Sequence, residues 1–194
     1  MKLIYNNYMV LDYRWLGIIS MIIFVLAAGV PLLGGPLDWQ DSVSHSWTKS
    51  QHKWLLFGVL MSLAVTGACI SLVLWLIPHY HLPSLTYGVI ALVYVASFAV
   101  IWIPMTDRPG QHSYWHGHFL GGGGLCTLAV IAMAIVLWFG INVSNVARIA
   151  CFVAMIFAVS WPLLFFSPAR RMFLVLESLI AVTIWAAIML LLVG

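Results

Sequence analysis

The 194-residue chain is 64% hydrophobic and only 7% charged, with eight basic and five acidic side chains and a formal net charge of +3; its mean hydropathy is +1.08. A soluble surface normally needs about a quarter charged residues, so this composition excludes an ordinary water-soluble domain and predicts an integral membrane protein. A basic balance in such a chain is read by position, as loop asymmetry, and nucleic acid is not an expected partner.

Six apolar stretches follow one another along the chain: 15–33, 54–77, 85–105, 119–141, 146–166 and 172–193. Each is close to the roughly 20 residues with which a helix crosses about 30 Å of hydrocarbon. They are too long and too evenly apolar for barrel strands, which alternate over about ten residues. The expected fold is therefore all-α, a six-transmembrane-helix bundle with short loops, forming a single domain over 1–194. The first stretch follows Lys2 and Asp12 and is longer than the apolar region of a signal peptide, so it reads as a retained helix. Cys69, Cys126 and Cys151 all fall inside spans, where they serve as small apolar packing residues.

Prolines mark the span ends: Pro31 and Pro36 after the first, Pro78 and Pro83 around the second loop, Pro104 and Pro109 after the third, and Pro168 before the sixth. Pro162 alone lies well inside a span, where it should kink the fifth helix. Trp39, Trp47, Trp54, Trp75, Trp102, Trp115 and Trp138 fall near span ends, as interfacial aromatic belts do. Ala64-x-x-x-Ala68 and Gly117-x-x-x-Gly121 are candidate close-packing motifs, since small residues let helices approach in lipid.

With six spans, loops one, three and five share one side of the membrane. Loop one supplies His45 and His52, loop three Asp107, Arg108, His112, His116 and His118, and loop five Arg170 and Arg171. Glu177, less than two turns into the sixth span, is the only acid inside the spans, and burying it unpaired would cost a few kcal/mol. These residues form the candidate site. Asp107, Arg108, Arg170, Arg171, Glu177, His45 and His52 suit an anionic lipid headgroup. The candidate metal residues are His112, His116, His118 and Asp107, with zinc as the candidate ion: if the fourth helix begins early, His112 and His116 stand at i and i+4 on one face, His118 points elsewhere, and His45, His52, Asp107 or Glu177 could complete three or four ligands. Ser42 and Ser44 beside His45 and Asp41 permit a nucleophile, base and acid, but a flexible loop holds such geometry poorly.

His79 and His81, in PHYHLP, fall on the opposite side and read as ordinary loop residues. No span holds a central histidine for haem or a lysine for retinal, so neither cofactor is expected. The candidate face carries Lys49, Lys53, Arg108, Arg170 and Arg171 against Lys2, Arg14 and Arg148 on the other, which leans toward the candidate face being cytoplasmic.

Ser42-Val-Ser-His45 followed by Leu55-Leu-Phe-Gly58, and Ile103-Pro-Met-Thr-Asp107 leading to His116 and a small-residue span, resemble the DUF998 family of bacterial six-span proteins and, more distantly, the Frag1/DRAM/Sfk1 group. That resemblance implies a multi-pass protein of the bacterial inner membrane and, through the eukaryotic group, lipid biology. It defines no biochemical activity. The ceramidase-like membrane hydrolases, which bind zinc through histidines near a Ser and an Asp, are a second comparison, but they have seven spans. Three functional expectations follow: lipid binding or handling at the His/Arg/Asp/Glu face, a zinc-dependent lipid hydrolase, or an accessory subunit of a homo-oligomer or larger membrane complex. Whether the chain is an enzyme stays open at this point.

Overall fold

The structure, a computed structural model, describes residues 12–29, 51–102, 123–140, 143–159 and 173–193. Among the described residues six helices and no strands are present. Helix α1 is Arg14–Gly29. Helix α2 runs from Gln51–Ser71 through a π-helical turn, Leu72–Leu76, into a last turn, Ile77–His79. Helix α3 is Leu85–Trp102, α4 Gly123–Trp138, α5 Asn145–Val159 and α6 Phe173–Val193. Two helical segments, Leu55–His79 and Leu85–Trp102, are long and apolar enough to cross a membrane.

Each helix packs on the next in the chain, and α6 returns to α1, so the bundle is a ring in sequence order. Short connections between α2 and α3 and between α4 and α5 make those pairs antiparallel. The starts of α1, α3 and α5 thus share one end with the finishes of α2, α4 and α6, referred to below as the N-terminal end. Two hydrogen bonds tie it together. Ser71 Oγ donates to the Tyr13 carbonyl at 2.7 Å, and Tyr80 Oη donates to the Leu191 carbonyl at 3.0 Å. Leu191 lies in the last turn of α6, whose carbonyls have no partner within the helix. The loop after α2 thereby caps a helix far away in sequence.

In α1 and α5 residue size marks the inward face: the buried positions of α1 are the small Gly17, Ser20 and Ala27 with one aromatic, Phe24, and those of α5 are Ala147, Cys151, Ala154 and Ala158, at spacings of three and four. Ala64 and Ala68 of α2 are buried as their spacing predicts. Large apolar side chains such as Ile22, Leu26, Leu63, Val95, Ile156 and Val182 point outward. The closest approach joins α1 and α2, where a Cβ on Gly67 would run into Ser20 Oγ, and one on Gly17 would meet the Leu192 side chain and Ser71 Oγ. Two pairs of polar groups bridge helices: Trp102 Nε1 donates to Ser62 Oγ at 2.9 Å, and Thr66 Oγ1 lies 3.4 Å from Tyr94 Oη.

The π turn in α2 has a local cause. Pro78 has no N–H to give the Leu74 carbonyl, and in a regular helix its ring would press on that carbonyl. Widening the preceding turn, with Ile77 N–H bonded to the Leu72 carbonyl, relieves the conflict and carries the helix on to His79. The chain then leaves α2 through a Schellman-type cap, in which Leu82 N–H bonds to the Ile77 carbonyl at 3.1 Å and His81 takes the left-handed conformation, φ 48°. Ile77 and Leu82 are both buried in the core, as the apolar contact of such a cap requires.

Candidate functional site

The best-defined polar cluster lies at the N-terminal end. Asp12 precedes α1, and its carboxylate accepts Arg14 Nε at 2.8 and 2.9 Å and also Arg14 Nη2. This guanidinium holds the Asp12 carboxyl below its usual range. The same guanidinium lies 5.6 Å from the centre of a Trp75 ring, near enough for a cation–π contact. Trp75 in turn stacks on His79 at 4.5 Å, and Tyr80 meets both rings edge-on, at 6.0 and 4.8 Å. The π turn and the Pro78 turn bring these side chains onto the Arg14 side of α2. An acid, a guanidinium and three aromatic rings therefore form one continuous ladder.

Tyr80 is the buried foot of this ladder. Burial raises its phenol above the ordinary value, because the phenolate would lose water there. Arg148 adds a second cation at the same end, where its Nη2 donates to the Gly140 carbonyl at 2.9 Å and pins the turn between α4 and α5. Ser144 caps α5 by accepting Ala147 N–H at 3.2 Å. Trp15, Tyr87, Trp138 and Phe139 are exposed around this rim. A ring of aromatic side chains with a few cations among them is the composition of a membrane interface.

His79 therefore differs from its reading as a plain loop residue, while His81 does lie in the loop, with a specific place in its cap. His79 belongs to the last turn of α2 and to the ladder, while His81 supplies the left-handed residue of the cap. The PHYHLP string carried a signal for this, since a proline in the last turn of a helix forces a rearrangement of the turn before it. The left-handed histidine had no comparable signal, because glycine is the residue that normally marks that position.

Two of the residues singled out in the sequence fall on described helices at the opposite end. His52 is helical, in the first described turn of α2, not in a loop, and Glu177 stands in the second turn of α6. Both are thus at the same end of the ring, roughly 40 Å along α2 from His79 at 1.5 Å per residue. Their side chains lie outside the described residues, as do His45, Asp107, Arg108, His112, His116, His118, Arg170 and Arg171 in full. Among the described residues no three His, Cys, Asp or Glu side chains gather as a metal site would require.

Comparison with protein-family models, curated proteins and solved structures found no match.

Proposed function

We propose that the chain is a six-span membrane bundle that binds an anionic lipid headgroup at the end opposite its N-terminal rim. The observation that supports this is the distribution of polarity. The outward faces of the described helices carry large apolar side chains, whereas Asp12, Arg14, His79, His81 and Arg148 stand at one rim. Such a belt suits hydrocarbon around the helices and headgroups at their ends.

In a six-span order the connections at that end would carry Arg108, Arg170 and Arg171, whose guanidinium groups suit a phosphate, together with His45 and Asp107 and, beside them, His52, and Glu177 would offset one of the arginines. This reading carries with it a multi-pass location in the bacterial inner membrane. Lipid retention tests this reading. Protein reconstituted with phosphatidylglycerol or phosphatidylcholine should retain the anionic lipid preferentially, and the Arg170→Ala/Arg171→Ala pair should reduce that retention about tenfold, a loss of about 1.4 kcal/mol. Equal retention of both lipids by wild type would refute it. Stoichiometric zinc that disappears in His116→Ala would replace it with the hydrolase reading, built on His112, His116, His118 and Asp107.

A further inference from the structure

The small residues that draw the helices together leave the axis of the ring unfilled. Two adjoining cavities, about 80 and 200 Å³, lie between α2, α3, α4, α5 and α6. Leu72, Val93, Val130, Ile184 and Ile188 line both, so they are parts of one space. On α2 the lining runs from Val65 to Leu76, about 16 Å along the helix axis. At the N-terminal end Leu76, Leu137 and Leu191 bound it, behind which Tyr80 holds the Leu191 carbonyl. Toward the other end its lining passes to Ala68, Ser97 and Ala129.

Three properties select the occupant. The walls are almost wholly apolar, so water would find too few of the two to four polar partners it needs. The space is long and thin: an engineered apolar cavity of about 150 Å³ accepts one benzene, and a comparable volume drawn out along the bundle fits an unbranched chain, not a fused ring system. Its long direction is that of the helices, and leucines close it at the N-terminal end, so a chain lying in it would point its methyl end there, with the start of α4 toward the other end.

We propose that one acyl chain of the bound lipid lies inside the ring, in this cavity, with its methyl end against Leu76, Leu137 and Leu191. The inference rests on the headgroup reading above. It would make the protein a carrier or sensor of single lipid molecules, since one chain is taken out of the bilayer while the other remains in it.

The test uses the full chain in nanodiscs containing phosphatidylglycerol with a photoreactive diazirine near the end of one acyl chain, with adducts mapped by peptide mass spectrometry. Adducts are expected on Val93, Leu137 or Leu191, and should fall about tenfold when the cavity is filled by Val93→Phe. The milder Ala129→Leu serves as a second filler if Val93→Phe fails to fold. Labelling of outward residues such as Ile22 and Ile156 should be unchanged in either variant. Wild-type adducts confined to outward residues, with anionic lipid still retained, would overturn the buried chain and leave the headgroup reading intact. Loss of anionic preference together with outward-only adducts would remove both.

Discussion

Replacing Gly67 with alanine probes the tightest approach at any glycine among the described residues. A Cβ there would come within the 3.0 Å that real Cβ atoms keep, meeting Ser20 Oγ, while the Ser20 Cβ would stand at an ordinary 3.5 Å. Ser20 Oγ is itself held at 2.7 Å from the Leu16 carbonyl, so it does not swing away freely. Overpacking of this kind costs about 1–3 kcal/mol, and the better helix propensity of alanine returns about 1 kcal/mol. The net loss expected for Gly67→Ala is therefore about 0–2 kcal/mol. In a Ser20→Ala background the obstructing oxygen is gone, and the same change should become neutral or stabilising by up to about 1 kcal/mol. The coupling between the two sites is then about 1–3 kcal/mol. Unfolding of the purified protein by SDS titration in mild detergent, followed by tryptophan fluorescence, measures all four corners of the cycle. An equal cost for Gly67→Ala in both backgrounds would show that α1 and α2 do not meet at Ser20.

Three further outcomes follow from the N-terminal end. Tyr80→Phe removes the cap on the Leu191 carbonyl and should cost about 1–2 kcal/mol in the same titration. Because burial favours the neutral phenol, its contribution is complete below the unfolded value near pH 10 and is lost as pH rises above it. Wild type should accordingly lose stability faster than Tyr80→Phe above pH 10, and parallel curves would count against a buried phenol. His81→Gly relieves a left-handed residue and should stabilise by about 1 kcal/mol, whereas a loss would mean that the imidazole makes contacts that outweigh the backbone cost. Arg14→Gln removes the charge shared by Asp12 and Trp75, so the Asp12 carboxyl should titrate closer to its ordinary value, read by NMR; an unchanged titration would contradict the ladder.

The helices were largely legible, because long apolar stretches and the prolines at their ends mark where helices run. The expected stretches 54–77, 85–105 and 172–193 lie close to α2, α3 and α6. Which face of each helix turns inward was much less legible. Both faces are apolar, so hydrophobic periodicity does not distinguish them, and size does: Ala147, Cys151, Ala154 and Ala158 mark the inward side of α5. Ala64-x-x-x-Ala68 was visible by that rule, but the deeper contact through Gly17, Ser20 and Gly67 depends on which helices are neighbours. The Asp12 to Tyr80 ladder was hidden for the same reason, since it joins a residue before α1 to the end of α2 through a π turn. The candidate site at the other end rests on the sequence, with His52 and Glu177 located only by their helices.

Topology mapping tests the central claim most directly. Single cysteines placed in an otherwise cysteine-free chain, one in each connection, can be probed with a membrane-impermeant thiol reagent from either side. A six-span bundle predicts that positions in 30–50, 103–122 and 160–172 label from one side, and that positions near Ser84, Ser144 and the C-terminus label from the other. Two consecutive connections that label from the same side would contradict it.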